Sequence, residues 1–269
     1  NPFIPGQQVR LIRLQAGLML ARSGAAETEK FLIDQLKPHM DTVSGLNTLL
    51  EFHLDHDQNT KALALLDDWL KANPDDLDRL KVKGNLLTWL KRHDDAIALF
   101  QSALSKSNSQ EKSNLNSLIA AAYTEKGDYE LALKNIDDAI DRTGKKGFKF
   151  QKAVIYQRMN NHDDAISLLT ELLENGAYNR EVLAHRATSY MATNQHDNAR
   201  EDYEKLREFH PDAIGIYLNL AEIAEAKSQS AEALKNYELY LKYADPESAP
   251  AEDLQRVKTR VKQLQGGTP

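Results

Sequence analysis

The chain has 269 residues, of which 41% are hydrophobic and 28% are charged, and its formal net charge is −6. This composition indicates a globular protein, and the acidic balance offers no overall basic surface, so we predict no nucleic-acid partner. The absence of cysteine excludes disulfides, thiol catalysis and zinc–thiolate sites. No apolar run approaches the roughly 18 residues of a membrane span, which predicts no direct membrane insertion of this chain.

The start of the chain is unusual because it reads Asn1-Pro2 rather than Met. We interpret this as processing, or as a cut from a longer protein. Together with the missing cysteine, the Pro-containing start favours a mature exported protein of the bacterial periplasm or cell envelope, with the cytoplasm as the alternative. Residues 1–8 hold three polar residues, a glycine and two prolines, and they are predicted to form an extended N-terminal arm.

The helix predicted after this arm carries two neighbouring apolar stripes at helical spacing. The first stripe holds Val9, Ile12, Ala16 and Met19, and the second holds Leu11, Leu14 and Leu18. Two interpretations of this apolar helix stay open. Either the arm wraps it through Phe3 and Ile4, or the helix is a stacking surface for an upstream repeat or a second subunit, which would make the chain self-associate.

The rest of the chain repeats itself with a period close to 34 residues. An alanine that opens a helix recurs at steps of 34, 36, 33, 34 and 34 residues, at Ala62, Ala96, Ala132, Ala165, Ala199 and Ala233. A second column of small residues holds Gly84, Ala120, Ala153, Ala187 and Ala221. A column of large residues holds Leu66, Phe100, Ile136, Leu169, Tyr203 and Tyr237. The small residues are predicted to lie where the two helices of a repeat meet.

The pattern is most complete in AAAYTEKGDYELALKNIDDAI (Ala120–Ile140) and IYQRMNNHDDAISLLTELLE (Ile155–Glu174). A helix–turn–helix repeat of this length with these columns resembles the tetratricopeptide repeat. The resemblance covers about Val9 to Glu247, and it implies an all-α, right-handed superhelical solenoid of about seven helix pairs. The predicted pairs are 9–42, 43–76, 77–110, 113–145, 146–179, 180–213 and 214–247. The first of them departs from the pattern, with Thr28 in place of the alanine.

A further amphipathic helix is predicted after the repeats. In residues 249–265, one side is apolar and the other is basic, as the polar outer face of a capping helix requires. The apolar side holds Leu254, Val257, Val261 and Leu264. Residues 266–269 are predicted to be a tail.

No group of residues indicates catalysis or metal binding. His53 and His56 could suggest a metal pair, but His53 falls in a column that other repeats fill with Tyr or Leu, so we predict core packing. Thr143 to Gly147 lacks the order of a phosphate-binding loop and follows no strand, which favours a tight turn. We therefore predict a chain that is not an enzyme and needs no cofactor or metal.

The family resemblance implies a binding groove lined by the first helix of each repeat. Helical spacing from the small-residue column maps this groove onto Asn47, Glu51, Asp78, Lys81, Asn85, Thr88, Trp89, Thr124, Glu125, Phe150, Gln157 and Arg158. Lys81 and Asn85 resemble the opening pair of the carboxylate clamp that grips chaperone C-termini, but Gly147 and Gln151 stand where that clamp needs basic residues. We therefore predict a different peptide, with one apolar anchor and polar main-chain contacts.

Three functions are compatible with this groove. The sequence favours a non-enzymatic scaffold or adaptor that binds a protein or peptide. The alternatives are a regulatory or substrate-binding segment of a larger enzyme, and an assembly subunit that stacks end to end through the first helix. Binding on the opposite, convex face also stays open.

Overall fold

The computed structural model describes residues 5–176, 180–245, 247 and 249–266. The chain divides into two compact units, residues 1–126 and residues 127–269. The helices of the first unit are α1 (Pro5–Ser23), α2 (Ala25–Leu36), α3 (Val43–Asp55), α4 (Asn59–Ala72), α5 (Leu77–Trp89), α6 (His93–Leu104) and α7 (Ser109–Lys126). A single 3₁₀ turn, Lys37–His39, follows α2.

The second unit is built in the same way. Its helices are α8 (Tyr129–Thr143), α9 (Lys146–Arg158), α10 (His162–Glu174), α11 (Arg180–Ala192), α12 (His196–Phe209), α13 (Ile214–Ala226), α14 (Ser230–Tyr243) and α15 (Ala251–Gln265). No strand occurs in the described ranges. Helices that are consecutive in the chain pack on each other within each unit, so the predicted all-α fold of helix pairs is confirmed.

Small residues lie where the helices of a pair meet. Gly84 of α5 faces Phe100 of α6, and a Cβ atom added to Gly84 would overlap the Phe100 ring. Ala153 and Ala187 occupy the same column in the second unit and are fully buried. Because these positions hold no side chain or only a methyl group, the two backbones of a pair approach closely and large neighbours such as Phe100 fill the space between them.

The turn inside most repeats has one shared geometry. One residue of each turn has a positive φ of 56° to 60°: Asp57, Lys91, Asn160, Asn194 and Ser228. The next residue donates its N–H over 2.8 Å to a carbonyl five residues earlier, as Arg92 does to Leu87. This is the hydrogen bond of a Schellman motif, which ends the first helix and turns the chain into the second. In the repeat that contains α8, Gly127 has the positive φ.

Two predicted segments differ from the structure. Helix α1 begins at Pro5, so the extended arm predicted for residues 1–8 is wrong for residues 5–8, while residues 1–4 lie outside the described ranges. The N–H groups of the first helical turn have no partner within the helix, so a proline, which has no N–H, is tolerated at Pro5. The tail beyond Gly266 also lies outside the described residues.

Helix α7 begins at Ser109, four residues before the start of the predicted pair 113–145. Asn108 and Glu111 cap it reciprocally: the Asn108 side chain accepts from the Glu111 N–H over 3.0 Å, and Glu111 accepts from the Asn108 N–H over 2.8 Å. This capping box satisfies N–H groups that an uncapped helix would leave free. Helix α15, the predicted capping helix, buries Val257 and Val261 of the predicted apolar side.

Candidate functional site

Helix α5 is fixed in place at both ends. Asp76 caps its first turn by accepting a hydrogen bond from the Arg79 N–H over 3.1 Å. The same carboxylate accepts a second hydrogen bond, from the indole N–H of buried Trp69 in α4, over 2.8 Å. At the other end, Lys91 in its left-handed conformation stops the helix. These contacts hold the outward face of α5 in a defined orientation, which a binding surface needs.

A cleft of about 550 Å³ opens between α5 and α7 at this face. Its lining residues are Asn85, Thr88, Trp89, Lys91, His93, Leu118, Ala121 and Glu125. We call it the Trp89 cleft. Helix α7 packs on both α6 and α5, and its residues at 118, 121 and 125 share one helical face. The cleft therefore lies wholly within the first unit.

Trp89 is the main apolar group of the cleft. Its side chain is 64% exposed, in contrast to Trp69, which is 8% exposed and belongs to the core. Trp89 is therefore not a core residue. Leu118 and Ala121 add apolar surface beside it. An exposed tryptophan at the edge of a cleft offers a large apolar area at low entropic cost, since it has only two side-chain torsions.

Several polar groups of the cleft have no partner among the residues that the structure describes. They are the Asn85 amide, the indole N–H of Trp89 and the Lys91 ammonium group. The hydroxyl of Thr88 is already satisfied, because it donates to the Gly84 carbonyl over 3.0 Å. An amide that can both donate and accept suits the alternating N–H and C=O groups of a peptide backbone.

The predicted groove residues are not all gathered in this cleft. Asn85, Thr88, Trp89 and Glu125 line it. Asp78 and Lys81 lie on the same face of α5, one or more turns earlier, and form an ion pair of 3.2 Å with each other. Thr124 of α7 donates its hydroxyl to the Ala120 carbonyl over 2.7 Å.

The two predicted residues of α3 lie elsewhere in the first unit. Glu51 pairs with Arg13 of α1 at 2.6 Å and lines a separate cleft of about 200 Å³. Asn47 is half-buried and lines neither cleft. In the first unit, four of the predicted groove residues therefore share one cleft between neighbouring repeats, and the others lie outside it.

The predicted residues of the second unit engage in internal contacts. Gln157 of α9 donates to the carbonyl of His185 over 2.7 Å and to the hydroxyl of Ser189 over 2.6 Å, both in α11. Its amide oxygen lies 2.6 Å from Nδ1 of His185. The ring of Phe150 meets the ring of His185 edge-on at 5.1 Å. Gln157 therefore bridges two repeats. Arg158, the next residue, is exposed and has an interaction partner of its own.

The sequence did not identify Lys91, His93 and Leu118 as part of the cleft. Lys91 lies in the turn after α5, where helical spacing gives no direction, and His93 is the first residue of α6, the second helix of its repeat. Leu118 could have been found from its spacing of three and seven residues to Ala121 and Glu125.

In the described part of the chain, no cluster of three or more His, Asp or Glu could hold a metal ion. No described helix has both the length and the apolar character to cross a membrane.

The chain belongs to the tetratricopeptide repeat family. The family model matches residues 53–112, 150–214 and 184–249. No curated protein sequence matches the chain.

Solved structures show the same fold at low identity. A tetratricopeptide repeat protein from Parabacteroides merdae is 14% identical with a TM-score of 0.63, covering 96% of this chain and 99% of that one. The C-terminal part of a repeat-containing protein from Cytophaga hutchinsonii is 15% identical with a TM-score of 0.59, over 93% and 99% of the two chains. YrrB, described as a tetratricopeptide repeat protein with an unusual peptide-binding site, is 14% identical with a TM-score of 0.53, over 75% and 97%.

Proposed function

We propose that this chain is a non-enzymatic scaffold or adaptor that binds a peptide segment of another protein in the Trp89 cleft. Tetratricopeptide repeats generally mediate protein–protein interaction, and YrrB is described as having a peptide-binding site. The observation that supports this site most strongly is the exposed Trp89 side chain beside an unpartnered Asn85 amide. Tryptophan is enriched among the residues that dominate binding energy at protein interfaces, so an exposed Trp89 at the edge of a cleft supports a binding role.

The cleft suits a peptide with one apolar anchor residue. The anchor would pack on Trp89 and Leu118, and Asn85 would pair with the N–H and C=O groups of the peptide backbone. Buried aromatic residues dominate the energy of such interfaces, so Trp89 should supply the largest share of the affinity. The charges of Lys91 and Glu125 at the edges of the cleft would set the preferred orientation of the peptide.

The test begins with peptides selected from a random library displayed on phage, because the natural partner is unidentified. The dissociation constant of a selected peptide is then measured by fluorescence anisotropy on the wild type and on Trp89→Ala. We expect Trp89→Ala to weaken binding at least tenfold, which corresponds to about 1.4 kcal/mol. The melting temperature should stay unchanged because the side chain is exposed.

Phe209→Ala is the matched control. Phe209 ends α12 in the second unit and is 61% exposed, so this substitution removes a similar apolar surface elsewhere. It should leave the dissociation constant unchanged. Equal weakening by both substitutions, or the selection of no peptide at all, would contradict the proposed site.

A further inference from the structure

The smaller cleft of the first unit lies between α1, α2 and α3 and is separate from the Trp89 cleft. It holds about 200 Å³, and its apolar walls are formed by Ala16, Leu20, Leu32 and Phe52. Ligand sites for drug-sized molecules are larger than this, so a space of this size takes a single side chain. We call it the Gly17 cleft, after the α1 residue at which it opens.

The polar groups inside the cleft are already satisfied by their own helices. Thr28 and Thr48 donate their hydroxyl protons to backbone carbonyls four residues earlier, over 2.8 and 2.9 Å. The His56 ring stacks on the Phe52 ring with the centroids 4.3 Å apart, and its Nδ1 lies 2.8 Å from the Phe52 carbonyl oxygen. The interior therefore suits the apolar part of an incoming side chain.

The edge of the cleft carries one charge without a partner. Helices α1 and α3 are the first helices of neighbouring repeats and run in the same direction. Arg13 of α1 pairs with Glu51 of α3 at 2.6 Å. Gly17 and Asp55 each lie four residues further along, which is one helical turn or about 6 Å beyond this pair. Asp55 is exposed and has no ion pair or hydrogen bond among the described residues.

Gly17 explains why Asp55 lacks a cation. Where Arg13 reaches Glu51, the next turn of α1 offers Asp55 no side chain at all. A Cβ atom added to Gly17 would meet nothing within 4 Å, so the space beside Asp55 is open. The cleft thus combines an open apolar interior with a free carboxylate at its edge.

We propose that the Gly17 cleft binds a lysine side chain of a partner protein. The methylene stem packs on Leu20 and Phe52, and the ammonium group pairs with Asp55. This pairing repeats, one turn further along, the pair that Arg13 and Glu51 form within the chain. The occupant is a cation because Arg13 and Glu51 neutralise each other, which leaves the Asp55 charge uncompensated.

The walls of the cleft favour lysine over arginine. The stem of a lysine is apolar up to its Nζ atom, whereas arginine carries an N–H group at Nε, before the end of its side chain. In this cleft that N–H would lie beside Leu20 and Phe52, which offer it no acceptor in their side chains. Burying a donor without an acceptor costs free energy, so the longer apolar stem fits better.

Binding of short blocked peptides, followed by the backbone amide shifts of Gly17 and Asp55 in ¹⁵N NMR spectra, tests the proposal. The peptides are acetyl-Ala-X-Ala-amide, in which X is lysine, norleucine, arginine or glutamate. We expect saturable shifts with a millimolar dissociation constant for lysine. Norleucine, which keeps the stem without the charge, should bind about threefold more weakly, as the loss of an exposed ion pair predicts.

Two variants separate the roles of charge and shape. Asp55→Asn should remove the difference between the lysine and norleucine peptides. Gly17→Leu fills the open space and should weaken lysine binding at least fivefold, without loss of stability because leucine favours the helix more than glycine does. Gly215→Leu, at a glycine of α13 that is equally open, is the matched control and should leave binding unchanged.

The result is independent of the Trp89 cleft, so Trp89→Ala should bind the lysine peptide as the wild type does. The absence of shifts at tens of millimolar peptide would overturn the proposal. Equal binding of the norleucine peptide, or unchanged lysine binding in Gly17→Leu, would also overturn it. Tighter binding of the arginine or glutamate peptide would overturn the choice of lysine.

Discussion

The first-helix surfaces of the two units differ in what their polar side chains contact. On α5 and α7, Asn85 has no partner among the described residues and Trp89 is largely exposed. On α9 and α11, Gln157 uses both ends of its amide on α11, and Phe150 packs on His185. The same face of the same kind of repeat is thus open in one unit and closed by internal hydrogen bonds in the other. Belonging to a groove-lining helix is therefore not sufficient to make a residue available to a ligand.

The largest expected effect concerns the anchoring of α11 in the closed surface. Arg186 of α11 forms two hydrogen bonds to Asp202 of α12, at 2.7 and 2.8 Å, and Asp202 is fully buried. Asp202→Ala leaves the guanidinium group without its carboxylate, so we expect a loss of about 3–5 kcal/mol of unfolding free energy. Chemical denaturation measures it. Asp197→Ala, which removes only an exposed partner of Lys227, should hardly change the denaturation midpoint. Equal midpoints for the two variants would show that α11 is not anchored in this way.

The open surface depends on the close approach of α5 and α6. Gly84→Ala would force the new methyl group into the Phe100 ring, so we expect a loss of about 1–3 kcal/mol of unfolding free energy. Peptide binding should weaken as well, because α5 carries Trp89. Gly215→Ala on α13, where a Cβ atom meets nothing within 4 Å, should be neutral or stabilise the chain by up to about 1 kcal/mol. If Gly84→Ala leaves the free energy of unfolding unchanged, α5 and α6 can move apart without loss of stability.

One pair of substitutions compares the two surfaces directly. Gln157→Ala removes three internal contacts and should cost about 1–3 kcal/mol of stability, with no change in peptide affinity. Asn85→Ala should do the reverse: stability stays within about 0.5 kcal/mol, and affinity falls several-fold. Thermal melts and anisotropy titrations of both variants provide the four values. If Gln157→Ala weakens binding more than Asn85→Ala does, the binding site has been assigned to the wrong unit.

A smaller effect is expected with pH. Burial lowers the pKa of His185 below its ordinary value of 6.5, while the charge of nearby Glu181 opposes this shift. Burial also lowers the pKa of His53, which lies in the first unit. In both cases the unfolded chain binds a proton more readily than the folded one. The stabilisation is therefore complete above about pH 6.5 and is lost as the pH falls below that value.

Denaturation midpoints between pH 8 and pH 5 measure this dependence. The His185→Gln variant should show a shallower decline than the wild type, because one of the two histidines with a lowered pKa is gone. A wild-type slope in that variant would mean that His185 is protonated equally in both states.

The sequence predicted the repeat and its packing well, because these depend on residues close together in the chain. Gly84 and Ala187 could be assigned to helix contacts because a small residue recurs there at the repeat period. The bridge from Gln157 to His185 could not be predicted, since it joins two repeats through side-chain torsions that periodicity does not specify. The early start of α7 could have been predicted from Asn108 and Glu111, whose spacing is that of a capping box.

The Schellman turns described above also affect how the chain folds. Each of these turns is closed by a hydrogen bond between residues five positions apart, and within each unit the helices pack chiefly on those next to them in sequence. Contacts of such short range lose little chain entropy when they form, so folding should be fast, on the millisecond scale or below. It can begin in more than one helix pair and spread to the neighbouring pairs. Substitutions at the turns, such as Asn194→Val, which places a β-branched residue at a positive φ, should therefore slow folding more than substitutions on exposed helix faces.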